Sequence, residues 1–586
     1  MVDSTNVPSR ISRRQVVQRG VTLVSGIAAG SILAACGGAI PTAAPSSAAL
    51  ATTGASTTSG SVAPAVQSTP NGSAVAARKG GTAVYYASQE GSHLLPSFSS
   101  FSTVIAPTAP FFNGLTKPGL NLEPLPDLAE SWTNTPDGKQ WTFTLRKDVK
   151  WHDGQPFTAA DVKFTWETIA HPDNKTGAQL YSFFAFVAGA PEFHTGKAQE
   201  ITGIKVSDDY TVQVTLTSPS APFFTIGASQ YIIPKHILGA VPVAEMLKHP
   251  YARAPVGTGP FVFEVWKTGD SIVGKAFDGY FAGRPHLDRV VYRMIPNADS
   301  NTLITALKSK EMNAVEVSLD AYDQLQGDPS LRRVLKPGRG NQYIEFNLAK
   351  PLFQDLRVRK ALSYALNRKA INDTVWKGRA QIYNSVFPYD WWPTKKDTTL
   401  FDNDPEQAKR LLDEAGWKVG PSGLREKEGQ KFSFTMYSIY NDWPLVVQQQ
   451  WKAIGVEMKH EFVDFATLNT QYYSTRIFEA AGLQVVYTLY TDPHYALPGY
   501  FLSANNRNSY NNPKSDDLIN RAAATNDQEE RRKLYYEWQE VIAQDVPHLW
   551  LGNPPNAYVY SADLVTPDYP SSFFNWRDAA SWYYKQ

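Results

Sequence analysis

A chain of 586 residues with a single cysteine, Cys36, cannot close a disulfide within itself, so its fold must be held by its core alone. Catalytic signatures are missing as well. No G-x-S-x-G elbow, H-E-x-x-H zinc helix, G-x-x-x-x-G-K-[ST] phosphate loop or EF-hand loop occurs. The ten histidines are scattered, and no two share a metal-ligand spacing such as i, i+4. Neither sign of charge dominates: the net charge of +1 falls to −2 once residues 1–35, with four arginines and one aspartate, are removed. That balance gives no reason to expect a nucleic-acid partner. No catalytic residue, metal site or cofactor is expected, although carboxylates that meet in space rather than in sequence stay open.

What is present starts with an export signal. Arg10, Arg13, Arg14 and Arg19 precede an uncharged apolar run, Gly20 to Ala35, that ends in small residues. The run reaches roughly 24 Å as a helix, short of a ~30 Å hydrocarbon core, which argues against a permanent span. Ser12-Arg13-Arg14-Gln15-Val16-Val17 resembles the twin-arginine signal, and Leu33-Ala34-Ala35-Cys36 resembles the lipobox of bacterial lipoproteins. Cleavage before Cys36 and lipid on its sulfur are implied, and several acyl chains anchor a protein durably. From Gly37 to Ala77 the chain is almost wholly Ala, Ser, Thr, Gly and Pro. Such a segment buries too little apolar surface to order itself and reads as a flexible tether over residues 36–79.

From about Gly80 the pattern is mixed. Gly81–Ser88, Gln140–Arg146, Thr211–Thr217 and Phe261–Trp266 read as strands by their β-branched and aromatic content. Thr158 and Asp161 suit a capping box, Asp404-Pro405 and Gly416 bracket a helix, Asp355 can cap the run to Trp376, and Thr525 or Asn526 can cap the run to Gln544. Strands and helices alternate irregularly, which predicts α/β lobes. Gly257-Thr258-Gly259-Pro260 lacks the third glycine and the lysine of nucleotide loops and reads as a tight turn. His152 reads as part of a turn, where a structural hydrogen bond is the better reading than catalysis.

Eight blocks in order resemble the extracytoplasmic solute-binding proteins of ABC importers, in the dipeptide-, oligopeptide- and nickel-binding family (solute-binding protein family 5). They include LAESWTNTPDGKQWTFTLRKDVKWHDGQPFTAADVKFTWE, VGTGPFVFEVWKTGDSI, GYFAGRPHLDRVVYRMIP, YIEFNLAKPLFQDLRVRKALSYALNRKAI, DPEQAKRLLDEAGW, WKAIGVEM and the closing YNNPKSDDLINRAAATNDQEERRKLYYEWQEVIAQDVPHLWL. The resemblance implies an α/β, two-lobed periplasmic-binding-protein-like fold of the class II type with an extra subdomain on the first lobe. It places lobe one at 80–107, 257–340 and 549–586, the subdomain at 108–256 and lobe two at 341–548. Two strand crossings then let the lobes hinge and close on a solute.

The family's ligand loop lies just before an Asp-Pro pair, here within Gln484 to Leu497. Dipeptide-binding relatives hold the ligand ammonium with an aspartate where this chain has Leu489, and hold the carboxylate with an arginine in a segment, Tyr440 to Trp451, that here has neither arginine nor lysine. A free dipeptide is therefore a poor candidate, since each charge-assisted anchor is worth a few kcal/mol. Nickel-binding relatives place a histidine near the position of Asn505, and His494 does not correspond to it. Candidate ligand residues are Tyr437, Tyr440, Trp443, Tyr487, Leu489, Tyr490, Asp492 and His494, with half of the rings expected to point into lobe two's core instead. Trp391 and Trp392 form an aromatic pair without an assigned place.

The expected function is a monomeric, lipid-anchored, extracytoplasmic receptor. It captures a small solute, an oligopeptide or oligosaccharide, and delivers it to an ABC permease in the cytoplasmic membrane. Tethering would raise its effective concentration at that permease. The alternatives are an anchored hydrolase of similar substrates and a sensor that presents the solute without transport.

Overall fold

Ala77–Arg78 pairs antiparallel with Tyr583–Lys585, stitching the start of the described chain to its end. The structure is a computed structural model describing residues 77–586, apart from 100–101, 120–122, 297, 339, 465–466, 469–474, 485–491 and 568–578. The export signal, the tether and Cys36 lie outside the described residues.

The chain enters a seven-stranded sheet as β1 (Thr82–Ala87) and leaves it for a four-stranded antiparallel sheet, β2 (Ala129–Asn134), β3 (Gln140–Leu145), β4 (Ile204–Asp208) and β5 (Thr211–Thr215). It returns as β6 (Phe261–Lys267), β7 (Ser271–Ala276), β8 (Arg289–Met294), β9 (Ala314–Val317) and β10 (Leu331–Lys336). A five-stranded sheet follows, β11 (Gln342–Phe346), β12 (Ser433–Ser438), β13 (Glu457–Phe462), β14 (Ala480–Gln484) and β15 (His548–Gly552), before the chain comes back as β16 (Asn556–Ser561). The strand orders are β10-β16-β9-β1-β8-β7-β6, β13-β12-β14-β11-β15 and β2-β3-β5-β4. The two larger sheets mix parallel and antiparallel pairs. This is a two-lobed α/β fold.

Strand alternation distributes the side chains between two cores per lobe. In β16, Tyr558 and Tyr560 join the core shared with the four-stranded sheet, while Ala557 and Val559 face the opposite core with Val315 and Leu307. In the five-stranded sheet, Ile344, Phe346, Phe434 and Met436 line one face, and Tyr343, Ala481 and Trp550 the other. Because Phe143 and Trp166 share one cluster with Ile272 and Val290, the subdomain is packed onto the first lobe.

All four expected strands form, as do the caps at Thr158, Asp404 and Asp355. Two helical expectations change. The run after Asp355 is broken at Ala365–Asn367 into Leu356–Tyr364 and Arg368–Val375, because the Asn367 side chain turns to accept from the Ala370 N–H and starts a second helix. Asp527, rather than Thr525 or Asn526, caps Gln528–Asp545, its carboxylate accepting from the Glu529 and Glu530 amides. The glycines of the 257–260 segment answer to a close approach of chain: a Cβ on either would run into the backbone of Phe111. The expected return to lobe one at 549 also shifts, since β15 pairs with β11 and keeps residues 548–552 in the second sheet.

Candidate functional site

Two short segments join the lobes, between Lys336 and Gln342 and between Gly552 and Asn556. They lie against each other: a side chain on Gly338 would strike the Asn553 Oδ1 and the Pro554 carbonyl. Asn553 is also bridged to Gln381 by two backbone hydrogen bonds, Gln381 N to Asn553 O at 3.1 Å and the reverse at 2.9 Å. The joint is thus a paired-strand hinge resting on the second lobe.

On either side of that joint the lobes touch through polar groups. In the first contact, Asp323 of the helix Leu319–Gln324 accepts from Lys377 Nζ at 3.0 Å and from Arg379 Nη2 at 2.8 Å, and Lys377 also pairs with Asp320. Lys377 takes left-handed backbone (φ 55°), uncommon for a residue with a Cβ, just after the helix Arg368–Val375 ends. These side chains remain about one-third exposed or more. Hydrogen bonds from Arg379 and Lys377 hold the Asp323 carboxyl below the usual range.

The second contact is buried. Asp492, wholly inaccessible, receives both Nη1 and Nη2 of Arg531 at 2.8 Å and the His494 amide at 2.8 Å. Its Oδ2 also accepts from the Thr225 hydroxyl of the first lobe's subdomain at 2.9 Å. Nearby, Tyr495 stacks on Phe183 with centroids 6.2 Å apart. Burial pushes the Asp492 carboxyl up, but the Arg531 charge and hydrogen bonds more than offset it and leave the carboxyl below its ordinary value. Arg531 spends its remaining donors on the Ala522 carbonyl (2.9 Å) and Tyr535 hydroxyl (3.1 Å), and its guanidinium lies over Trp392.

Residues 123–508 match the model of the bacterial extracellular solute-binding proteins, family 5, middle region. This chain belongs to that family. It is 31% identical over 458 residues to the oligopeptide-binding protein AppA of Bacillus subtilis, covering 76% of this chain and 81% of the relative. It is 29% identical over 494 residues to the dipeptide-binding protein of Escherichia coli, covering 77% and 85%. The solved structure of Bacillus subtilis AppA in complex with a nonapeptide superposes with a TM-score of 0.75 at 29% identity, over 87% of this chain and all of that one.

Within this family 5 fold the candidate ligand residues part ways. Tyr487, Leu489 and Tyr490 lie outside the described residues. Trp443 is fully buried in the second lobe's core, so it packs the sheet and is not available to a solute. Both Asp492 oxygens are taken by the contact just described. His494 is buried beside it, its ring pushed down to about 4 chiefly by burial and its Nδ1 without a hydrogen-bond partner among the described residues. Tyr437 and Tyr440 remain half-buried at the end of β12, Tyr440 standing 5.8 Å from Trp443. Trp391 and Trp392 now have a place, in and against the core that Tyr535 and Trp538 share.

His152 is a structural histidine: its Nδ1 accepts from the Gly257 amide at 3.1 Å and its Nε2 donates to the Gly259 carbonyl at 2.9 Å. Burial lowers its ring to about 4. The residue the sequence reading missed is Arg531. It lies on the buried stripe of its helix with Leu534, Tyr535, Trp538 and Ile542, and a cation inside an apolar stripe is the signal that marks it as paired.

Proposed function

We propose that this family 5 protein captures an oligopeptide between its two lobes and delivers it to an ABC permease, held outside the cytoplasm by lipid on Cys36. Lobe one comprises 80–107, 257–340 and the chain beyond Gly552, the subdomain 108–256, and lobe two 341–552. The observation that carries the reading is the paired-strand hinge at Gly338 and Asn553, flanked by contacts that join the lobes. A protein so built closes on a solute without making bonds, so no enzymatic activity is assigned. Peptide as the ligand class is supported by relatives whose names carry oligopeptide and dipeptide binding, one of them solved with a nonapeptide. Leu489 and the cation-free Tyr440–Trp451 segment favour a longer peptide, held along its backbone rather than by its termini.

Thermal unfolding of the purified protein with a nonapeptide, free dialanine and maltopentaose tests this. At 100 times its dissociation constant a ligand adds about 2.7 kcal/mol of stability. A shift with the nonapeptide alone is expected. A shift with maltopentaose alone would move the ligand class to oligosaccharides, and a shift with dialanine would return the termini to the recognition.

A further inference from the structure

The Thr225 hydroxyl lies 2.9 Å from two acceptors, Asp492 Oδ2 on lobe two and the Ala221 carbonyl one turn back in its own segment. A hydroxyl carries a single proton and gives it to one acceptor at a time. With the lobes apart, the bond back to Ala221 remains available. Asp492 is equally well provided for, because both Arg531 nitrogens and the His494 amide stay with it on lobe two. Parting the lobes at this point strands neither a buried donor nor a bare carboxylate. The bidentate ion pair, costly to break, lies within lobe two, and a bond that is readily exchanged makes the crossing.

Each side presents that bond together with an apolar contact on one rigid piece. On lobe two, Asp492 caps the helical turn Pro493–Tyr495, its side chain accepting from the His494 amide and its carbonyl from the Tyr495 amide at 3.1 Å. Tyr495 packs against two cores, the one shared by lobe one and the subdomain and one within lobe two. On the subdomain, Thr225 belongs to Phe223–Gly227, where the Ala228 amide reaches the Phe223 carbonyl at 3.0 Å, five residues back. Wide turns of this π type recur at functional sites. Phe223 packs on Phe184 with centroids 6.3 Å apart, and the neighbouring Phe183 meets Tyr495.

We infer that the extra subdomain is the latch of the closed form: Thr225 and Phe183 hold Asp492 and Tyr495, and so set how long a solute is retained without reading what the solute is. This rests on the proposed capture of a solute between the lobes. A contact made in the closed form and lost in the open one scales the affinity for every solute by the same factor. It slows release and leaves encounter unchanged, since a solute enters while the lobes are apart.

The test is Thr225→Val, with Thr225→Ser as the variant that keeps the hydroxyl. Association and dissociation rates of the full protein are measured by stopped-flow fluorescence with two nonapeptides of unrelated sequence. For Thr225→Val, dissociation should be about tenfold faster for both peptides alike, with association within about twofold of the parent. Thr225→Ser should stay close to the parent in both rates. Unchanged dissociation in Thr225→Val would overturn the inference, because the contact would then hold nothing closed. Factors differing by more than about threefold between the peptides would also overturn it, because Thr225 would then be reading the solute. If the parent binds neither peptide, the reading of the solute fails on its own, and small-angle scattering decides the latch. A larger radius of gyration for Thr225→Val than for the parent supports it, and equal radii overturn it.

Discussion

Two of the polar contacts between the lobes have like chemistry and unlike surroundings. Lys377 and Arg379 reach Asp320 and Asp323 in partly exposed positions, whereas Arg531, Asp492 and Thr225 meet in the interior. Water and salt compete with the first pair, and side-chain freedom is lost in forming it. The second has been removed from water altogether, so each partner depends on the other to avoid a buried, uncompensated charge. Distance does not separate them, since both have contacts near 2.8 Å. Burial does.

The largest effect should come from breaking the buried pair. Arg531→Met leaves the Asp492 carboxylate without its counterion, and urea unfolding should show a loss of about 3–5 kcal/mol. The double variant Asp492→Leu with Arg531→Met should recover much of that loss; two singles that simply add would mean that the pair is not coupled.

Second is acid sensitivity. His152 and His494 titrate near 4 when folded and near 6.5 when unfolded, so the unfolded chain binds more protons between those values. Stability should be full above pH 6.5 and fall toward pH 4, by roughly 3 kcal/mol per histidine. Asp492 does not contribute in that window, because its folded value lies below the ordinary 3.8 and its share is lost only as pH drops through it. Replacing His152 by Gln should shallow the slope of stability against pH, and an unaltered slope would remove His152 from the account.

Third, Thr225→Val removes a hydrogen bond of the buried contact that crosses between the lobes while leaving Asp492 paired with Arg531. A loss of about 1.5 kcal/mol is expected for a bond to a charged acceptor. The smallest change should follow Lys377→Ala, with Tm nearly unmoved and its dependence on sodium chloride reduced. A fall comparable to that of Arg531→Met would erase the distinction between the two contacts.

Much of the fold was legible because its local signals agree with its packing. The cap at Asp404 with Pro405 inside and Gly416 beyond, and the alternation in Gln140–Leu145, are each sufficient within a few residues. Trp443 shows the limit. Its ring type suited a solute as well as a core, and only the packing of the second lobe assigned it to the core. The break at Asn367 was missed because the flanking residues are good helix formers, and the side chain's bond to the Ala370 amide competes with them locally.

By itself the sequence determined the kind of molecule: a chain with one cysteine, α/β patterning and ordered blocks that resemble a two-lobed family, preceded by stretches that read as an export signal and a lipobox. Periodicity, caps and ordered family blocks are local or collinear properties, and they survive without coordinates. Tertiary structure alone decided which charges pair. Arg531 and Asp492 are 39 residues apart, and Thr225 and Asp492 are 267 apart. Contacts at such separations depend on where two sheets carry the chain, and the cost of an unpaired buried group exists only once the surrounding core has excluded water.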